Sequence, residues 1–530
     1  MAVQEIDKTT TREQLLEINA VLRAAVAERD KKVAELDTVI ELERAKYEVL
    51  QRMFFGRKSE RVVPEDPSQG LLFNEAECDD VATPVEESVQ IIKRTTSKRG
   101  GRSRPAVDLE RVEVLHDLSA EDKCCPWCGE GRKQIGEERS EEIEIIPARV
   151  VVTVHVRPKY GPCSCEDFIG NDEKAIIIAP APAKIAPGSM FSNHAAAFFT
   201  VSKFADALPF YRQEKIVERM GIHVSRGAMG KQMIRIFKRL TAFDDAFKRD
   251  ISCSTVLRMD ETVVQVLKED GRPPSSQSRM WVAMGYRDTR PLLYFAYHDS
   301  RSGDVAEALV GSKFSGLLQT DGYAGYIRLG KRPGIVHVGC WAHIRREFHK
   351  LYKSDTETPL AAVIIKLIGK LYSIERRLRD SYADGTLKVE DFLTRRKEET
   401  APAFAAILAW LHEQEGKVPP RSPLGQAISY ALGQYNRAKN YVDHILLTPD
   451  NNLIENAIRP FVVGRKNWHF FDSPAGATAS AFLYSLIETA KANGHEPYRY
   501  LCYLFDNFPL AESPEACERL LPYRLKPGEY

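Results

Sequence analysis

The sequence predicts a multidomain protein in which helical regions accompany an α/β core, and three observations support this fold class. An apolar seven-residue repeat runs through residues 11–55, cysteines gather between residues 124 and 165, and short apolar segments typical of strands begin at about residue 254. A chain of 530 residues is long enough for several domains with ample core. We therefore expect an N-terminal helix, a cysteine-rich module, a helical region and a sheet, in that order.

The composition is that of an ordinary globular protein, with 43% hydrophobic and 28% charged residues. No segment approaches the roughly 20 apolar residues that a membrane-spanning helix needs. The polar N-terminus, MAVQEIDKTTTREQ, is unlike a signal peptide. We therefore expect a cytoplasmic protein without a membrane partner. A net charge of +1 does not by itself indicate a nucleic-acid partner, so any basic surface must be local.

Residues 11–55 are predicted to form one long coiled-coil helix, because neither glycine nor proline occurs before Gly56. Its apolar residues form two rows, which comprise Val26, Val33, Ile40, Tyr47 and Phe54, and Leu15, Leu22, Leu36 and Leu50. Such a narrow apolar face favours self-association into a homodimer or a higher oligomer. The alternative is that the helix packs on the body of its own chain.

Residues 56–110 have the composition of a flexible linker, rich in proline, glycine, serine and charge. A basic tract, KRTTSKRGGRSRP at 93–105, lies near the end of this linker and includes Arg99, Arg102 and Arg104. Arginines spaced by glycine suit insertion into a DNA minor groove. The tract could equally be a solvated segment with no partner.

Residues 111–180 are predicted to form a zinc ribbon. Cys125 and Cys128 flank Pro-Trp in CCPWCGE, a tight turn that allows two thiolates to bind one ion. The valines of residues 150–156 alternate and predict a hairpin that returns the chain to a second pair, Cys163 and Cys165. Four thiolates would then bind Zn²⁺. The second pair has one intervening residue instead of two, and the alternative is a half-occupied or metal-free module.

Residues 190–250 are predicted to be helical, with a turn at Gly221 and a second helix that Ser225 caps. The second helix carries basic residues, namely Arg226, Lys231, Arg235, Lys238 and Arg239. A helix-turn-helix whose second helix enters a DNA groove fits this pattern. A plain helical pair that packs on the next domain fits it equally well.

Residues 254–342 alternate between strand and helix patterns. The segments TVLRMD, TVVQVLK, MWVAMGY and PLLYFAYHD are typical of strands, and helices are predicted at about 303–311 and 323–329. GLLQTD and GIVHVGCW are further predicted strands. A meander of three strands, then a fourth strand, a helix and a strand, predicts an α/β unit of ribonuclease H type. Residues 343–445 are almost wholly helical, and strand character returns only in FVVGRKNWHFF.

Two aspartates follow apolar strands of this unit. Asp260 ends the first predicted strand in LRMDET, and Asp321 ends the fourth in LLQTDGY. In such a unit the first and fourth strands are neighbours, so both side chains are expected to project from the same end of the sheet. Adjacent carboxylates repel unless a cation lies between them, and oxygen ligands suit Mg²⁺. Alternatively, Asp321 is only the first half of an Asp-Gly turn, and Asp260 is a strand terminator.

The best candidate for a third carboxylate is Glu455 in PDNNLIENAIRP. Asp450 or Asn451 can cap the helix that contains it, and Arg459 shares a face with Glu455. The helix is predicted to weaken at Pro460. Downstream, Arg465 and Lys466 could neutralise phosphate beside the site. The alternative is that Glu455 is an ordinary carboxylate on a solvent-facing helix.

Several motifs, taken in order along nearly the whole chain, resemble those of the IS66-type transposases of the DDE class. They are RMFFGRKSER, CPWCGE, LPFYRQEKI, MDET, TDGYAGY, GCWAHIRREF, NNLIENAIRP, GRKNWHFFDSPAGA and SLIETAKANG. The resemblance implies that Asp260, Asp321 and Glu455 are the catalytic triad and that residues 343–445 are an insertion between the second and third acids. It places a second part of the core at 446–500 and a tail at 501–530.

The resemblance also implies the activity: cleavage and strand transfer at terminal inverted repeats, with Mg²⁺ or Mn²⁺ at the acids. Double-stranded DNA, as element ends and as target, would be the partner, in the bacterial cytoplasm at the nucleoid and with possible small accessory proteins. The CWAHIRREF motif has no assigned role; Trp341, His343 and Arg346 could line the site or the DNA path, or be purely structural. Two other classes are a ribonuclease H-like metal-dependent nuclease and a non-catalytic DNA-binding regulator.

Overall fold

The computed structural model describes residues 150–160, 177–353 and 358–530, together with part of the segment between residues 20 and 47. The chain divides into two units, one of Met1–Asp80 with Val156–Tyr530 and one of Val81–His155. Apart from residues 150–155, the described residues all belong to the first unit. Within the described part of the chain, no helix is both long and apolar enough to cross a membrane.

The described residues between 20 and 47 are helical, in agreement with the predicted helix. The apolar row is exposed to solvent, with Val26, Val33, Ile40 and Tyr47 between 45% and 66% accessible. An ion pair of 3.5 Å between Lys46 Nζ and a carboxylate oxygen of Glu413 joins this helix to the rest of its unit. Self-association through the apolar row remains a prediction.

The hairpin predicted from the alternating valines does not start where the pattern places it. Residues 150–158 form no strand, and the valines at 151, 152, 154 and 156 are all exposed. Alternation stabilises a strand only if one face is covered, and these described side chains have no such cover. The first strand is instead β1 (Lys159–Tyr160), which pairs antiparallel with β2 (Ile177–Ile178).

Four helices precede the sheet: Asn193–Phe204, Phe210–Arg219, Arg226–Arg239 and Thr241–Ser252. Gly221 lies in the predicted turn at a φ of +91°, and the Ser225 side chain caps the third helix by accepting from the Ala228 N–H. We call that third helix, Arg226–Arg239, the basic helix. Its buried face, which includes Met229, Met233 and Ile236, belongs to the main core. The pair therefore packs on the core through one face, and its basic residues Arg226, Lys231 and Arg235 stay exposed on the other side, so a role of this helix in a DNA groove stays a prediction.

The sheet has five strands in the order β5–β4–β3–β6–β7. They are β3 (Val256–Gln265), β4 (Gln277–Arg287), β5 (Arg290–His298), β6 (Gly316–Gln319) and β7 (Ile335–Val338). The first three strands form an antiparallel meander, whereas β6 and β7 run parallel to β3. Helix Gly303–Val310 connects β5 to β6 and helix Ala324–Leu329 connects β6 to β7, close to the predicted positions. The mixed α/β class is confirmed, and the first and fourth strands are neighbours.

The sequence suggested that Asp260 ends a strand, but in the structure Asp260 lies within one. The predicted segments TVLRMD and TVVQVLK are one continuous strand, β3, which β4 accompanies from Arg258 to Gln265. The carboxylate does not interrupt β3, because pairing with β4 uses only backbone groups. On the other side, pairing with β6 stops at Arg258. Asp260 thus lies just past the end of the parallel pairing.

After β7 comes a helical segment, residues 341–443, with a hydrophobic core of its own. It consists of helices Trp341–Lys353, Thr358–Ala383, Val389–Glu415 and Pro423–Ala438 and the 3₁₀ helix Lys439–Asp443. Trp341, Ile364 and Trp410 are fully buried in this second core. The predicted helical character is confirmed over the described residues.

The strand expected in FVVGRKNWHFF is wrong. Most of it belongs to the helix Asn452–Trp468, which we call the glutamate helix and which continues through Pro460. Its buried residues Ile454, Ile458 and Phe461 follow the helical period, so packing on the core outweighs the hydrogen bond that proline removes. Only Phe471 has strand character, as a bridge to Val266.

The last helices complete the main core, and the first of them packs along β5. They are Pro474–Ala492, which we call the edge helix, Pro497–Asn507 and Pro514–Arg519. Ser485 and Thr489 of the edge helix accept hydrogen bonds from the backbone N–H groups of Phe295 and Leu293, at 2.8 and 2.9 Å. These amides point away from β4, so one turn of helix matches two residues of strand. The side chains satisfy the outer edge of the sheet.

Replacing Thr489 with valine should destabilise the fold by about 1–3 kcal/mol, because the buried Leu293 N–H would lose its acceptor while the side-chain volume stays the same. Urea unfolding of the full chain measures this. The matched control is Thr478→Val on the same helix, where the hydroxyl is exposed and bonds only to Pro474 O. Equal stability of the two variants would contradict this role for Thr489.

Because the Lys203 ammonium is buried, we expect the stability of the fold to depend on pH. Its ammonium is buried 4.5 Å from the Phe210 ring centre and 5.2 Å from that of Trp468, and burial lowers its pKa from 10.5 to about 7. Between these two values the unfolded chain binds more protons, so stability should rise with pH. Lys203→Met should be more stable than wild type at pH 6–7, and the difference should shrink towards pH 10.

The measurement is the unfolding midpoint at a series of pH values for wild type, Lys203→Met and the control Lys238→Met, whose side chain is exposed on the basic helix. Because the control leaves the buried ammonium in place, it should follow the wild-type curve. If the unfolding midpoints of Lys203→Met and wild type change in parallel with pH, burial of the ammonium does not destabilise the fold.

Candidate active site

The register between β3 and β6 places two aspartates side by side. Val256 faces Leu317 and Arg258 faces Gln319, which is the last pair. Asp260 and Asp321 each follow two residues later, so they continue the same row beyond the carboxyl ends of the parallel pairing. Residues two apart in a strand share a face. The side chains of the preceding pair in this row are in contact, because Arg258 Nε donates to Gln319 Oε1 at 3.0 Å.

Asp321 lies in the turn after β6, and its Asp-Gly sequence has two roles. The Asp321 carboxylate accepts a hydrogen bond from the Tyr323 N–H at 3.0 Å, as turn-forming aspartates do. A Cβ at Gly322 would lie 2.6 Å from both Tyr430 Oη and Gln434 Nε2. The glycine therefore lets the turn approach the helix Pro423–Ala438, and the turn fixes the orientation of the Asp321 side chain.

Glu455 reaches the same place from the first turn of the glutamate helix. The start of this helix is bound to β3, because Asn451 Nδ2 donates to Met259 O at 3.1 Å, next to Asp260. Asp450 accepts from the Asn452 N–H at 3.1 Å and so caps the helix. Glu455 is itself buried, with 6% of its surface accessible. Its burial argues against the alternative of a solvent-facing carboxylate, and its role as the third acid stays a prediction.

Asp321 and Glu455 lie close enough to Asp260 to affect its ionisation. The pKa of Asp260 is raised well above its usual value, first by burial and then by the negative charges of Glu261, Glu455 and Asp321. The structure thus brings the predicted triad together. A set of oxygen donors whose charges repel one another suits a hard divalent cation such as Mg²⁺ or Mn²⁺, which would offset the repulsion.

Glu261, next to Asp260, was not identified from the sequence. It points to the opposite face of β3, where its oxygens accept from Arg301, at 2.6 Å, and from the Tyr326 hydroxyl. Arg301 in turn lies 4.3 Å from the ring centre of Tyr323. Glu261 is therefore neutralised by a protein cation, whereas Asp260 faces other acids. Only the alternation of faces along the strand distinguishes the two carboxylates in MDET.

The CWAHIRREF motif contributes two residues beside Glu455. Candidate ligand atoms of Cys340, His343 and Glu455 all lie within 4.8 Å of one another. Burial lowers the pKa of His343 to about 3, with help from Arg346 and Lys350, so the imidazole is neutral. Burial also raises the pKa of the Cys340 thiol well above its usual range. Of the motif residues considered from the sequence, His343 lies at the site.

Trp341 does not line the site, in contrast to the first of its two predicted roles. Its ring is fully buried in the core of the helical segment and stacks on Phe404 with 5.9 Å between ring centres. Its backbone N–H donates to Pro449 O at 2.9 Å, which ties the helical segment to the approach of the glutamate helix. The structural alternative is therefore the correct one for Trp341.

The residues predicted to bind DNA lie on several elements and differ in their exposure. Arg226, Lys231 and Arg235 are exposed on the basic helix, Lys466 is exposed at the end of the glutamate helix, and Arg346 and Arg459 are half-buried. Arg465 donates to Val263 O and so holds the glutamate helix to β3. The other predicted site residues lie outside the described residues, namely Arg99, Arg102, Arg104, Cys125, Cys128, Cys163 and Cys165.

Comparison with known families gives four matches along the chain. The model described as "Transposase IS66 family" matches residues 188–479, and the "IS66 C-terminal element" matches 485–523. The "zinc-finger binding domain of transposase IS66" matches 122–166, and "Transposase C of IS166 homeodomain" matches 44–114. The first match alone covers more than half of the chain.

Curated relatives are similar over nearly their whole length. The uncharacterized protein y4qI of Sinorhizobium fredii is 30% identical over 96% of this chain and 92% of its own length. The uncharacterized protein y4jD of the same organism is 29% identical over 91% of this chain and 94% of its own length. No solved structure matches the chain.

The acidic cluster predicts that Asp260→Asn stabilises the metal-free protein at neutral pH. The pKa of Asp260 is raised in the folded state, so its charged form costs folding free energy, a cost that disappears as the pH falls and the group is protonated. Conversely, Mg²⁺ should stabilise wild type by about 2.7 kcal/mol at a hundredfold excess over its dissociation constant, but not the variant.

Thermal unfolding with EDTA and with MgCl₂ tests both statements. Asp245→Asn, at an exposed position on helix Thr241–Ser252, is the control and should respond to Mg²⁺ as wild type does. An Asp260→Asn protein that is less stable than wild type in EDTA, or that gains equal stability from Mg²⁺, would refute this account of the cluster.

Proposed function

Because the chain belongs to the transposase IS66 family, we propose that it is a DDE transposase that cuts DNA at the terminal inverted repeats of its element and joins the freed ends to target DNA. The observation that carries this proposal is the meeting of Asp260, Asp321 and Glu455 just past the end of the parallel pairing between β3 and β6. A structural role alone would not gather three acids at a site where their charges repel.

We propose further that the sheet is the core of a ribonuclease H-like fold. In support, three antiparallel strands are followed by two strands that run parallel to the first, with a helix before each. The helical segment, residues 341–443, would then be an insertion between the second and third acids. The match to a zinc-finger domain at 122–166 supports a zinc ribbon, in which Cys125, Cys128, Cys163 and Cys165 would bind Zn²⁺.

Asp260, Asp321 and Glu455 would hold Mg²⁺ or Mn²⁺. The chemistry that such ions supply is activation of the attacking oxygen, from water or a 3′-hydroxyl, and stabilisation of the leaving oxygen. The protein's own contribution is to orient the acids beforehand. The Asp260 carboxylate accepts from the Glu261 N–H at 2.8 Å, and the Asp321 carboxylate accepts from the Tyr323 N–H at 3.0 Å. Both side chains are thus fixed by the backbone.

DNA would be held by basic residues on more than one element. Arg226, Lys231 and Arg235 are exposed on the basic helix, and Lys466 lies close to the end of the glutamate helix. Phosphate contacts of this kind position a duplex without reading its sequence. The exposed apolar row of the N-terminal helix would join copies of the chain, so that one assembly could hold two element ends. The site of action is then the bacterial nucleoid, where accessory proteins could join it.

Strand transfer of supercoiled donor DNA that carries the element's ends, in the presence of Mg²⁺, tests this function. Wild type should give joined products. Asp260→Asn, Asp321→Asn and Glu455→Gln should each reduce joining by more than about 100-fold, since even residues behind metal ligands change such sites by about 10–100-fold. Binding to labelled ends should not weaken, because the acids repel phosphate.

Asp245→Asn is the control and should join ends at the wild-type rate. Nicked DNA without joined products from wild type would identify a nuclease, and end binding without cleavage would identify a regulator. If Asp260→Asn still joins ends, the assignment of the triad is wrong.

A further inference from the structure

Cys340, His343 and Glu455 form a cluster whose composition differs from that of the acidic triad. The thiol, imidazole and carboxylate donor atoms all lie within 4.8 Å of one another, and His343 Nδ1 is 3.9 Å from a Glu455 oxygen. Cys340 and Glu455 are buried, and His343 is largely covered, with 19% of its side chain exposed. Glu455 is also a member of the acidic triad, whereas Cys340 and His343 are not.

The geometry suits a single metal ion. Donor atoms that bind one tetrahedral ion at about 2.0–2.3 Å lie about 3.5 Å apart, so small side-chain shifts would close the cluster around it. Cys340 precedes the helix Trp341–Lys353, and His343 is three positions later, on the same face. Glu455 approaches from the glutamate helix. The three ligands therefore come from two elements that are already fixed.

The surroundings of the sulfur favour a thiolate bound to a metal. The backbone N–H of Asn451 points at Cys340 Sγ from 3.3 Å, and the backbone N–H of His343 also donates to it. Amide donors of this kind offset the charge of a metal-bound sulfur, which a buried structural cysteine does not need. A mixed sulfur, nitrogen and oxygen donor set suits Zn²⁺ or Co²⁺, whereas Mg²⁺ prefers oxygen ligands.

We propose that Cys340, His343 and Glu455 form a second metal site, for a borderline divalent cation such as Zn²⁺ or Co²⁺, which shares Glu455 with the acidic triad. On binding, the sulfur–metal bond replaces the S–H bond, and the thiol proton passes to water. The ion at this site draws Glu455 away from the Mg²⁺ position. Zn²⁺ therefore inhibits strand transfer in competition with Mg²⁺, a consequence that rests on the proposed function.

Cobalt titration of the full chain tests the site without relying on activity. The protein is first saturated with Zn²⁺ and then dialysed against a weak chelator, so that a cysteine-rich zinc site elsewhere stays filled. Co²⁺ is then added without Mg²⁺, and the near-ultraviolet thiolate-to-cobalt absorption is recorded. Wild type should show a band that saturates at one equivalent of Co²⁺.

The variants identify the ligands. Cys340→Ser should lose the band, and His343→Gln should need at least about tenfold more Co²⁺ to reach it. Cys253→Ser is the matched control, because it removes an exposed cysteine outside the cluster, and it should keep the band. Circular dichroism establishes that each variant is folded. If Cys340→Ser fails to fold, the higher Co²⁺ concentration that His343→Gln needs to reach the band tests the proposed site instead.

Equal absorption in wild type and Cys340→Ser, or an unchanged cobalt titration of His343→Gln, would overturn the proposed site. Failure of the proposed function looks different. Wild type would then give no joined DNA while its cobalt band persisted. Asp260→Asn, which retains all three ligands, should also keep the band.

Discussion

The guanidinium of Arg258 is the interaction on which the geometry of the site depends. It is fully buried and reaches three parts of the chain: Gln319 on β6 at 3.0 Å, the Tyr286 hydroxyl on β4 at 2.9 Å, and Leu446 O beyond the helical segment. A buried charge is tolerated only if its donors are satisfied. If β3 slipped against β6, the guanidinium would lose its hydrogen-bond acceptor on β6. The register that this contact fixes is the one that aligns Asp260 with Asp321.

The loop between the helical segment and the glutamate helix is held in the same way. Arg379 donates to Ile445 O and Leu447 O at 2.7 Å, Arg396 donates to His444 O at 3.0 Å, and Gln319 donates to Thr448 O at 2.7 Å. Nearly every carbonyl of this short loop thus receives a side-chain donor. The helical segment does more than separate two acids in the sequence, because its arginines set the point from which the glutamate helix starts.

The sequence allowed the neighbouring strands and the closeness of Asp260 and Asp321 to be predicted, because the apolar segment before each aspartate is a local signal for a strand. Other features depend on contacts between distant residues. Pro460 was expected to weaken a helix, but burial of one helical face decides that the helix continues. The closeness of Cys340 to Glu455 follows from where the glutamate helix docks, which no local pattern records.

The edge helix has a consequence for how copies of the protein can meet. A sheet whose outermost strand has unsatisfied amides can recruit a strand from another molecule, which leads to open-ended stacking. Here Ser485 and Thr489 already occupy the outward amides of β5. Growth of the sheet by strand addition on that side is therefore closed. Two copies of the protein therefore cannot join their sheets across β5, and any contact on that side involves the outer side chains of the edge helix instead.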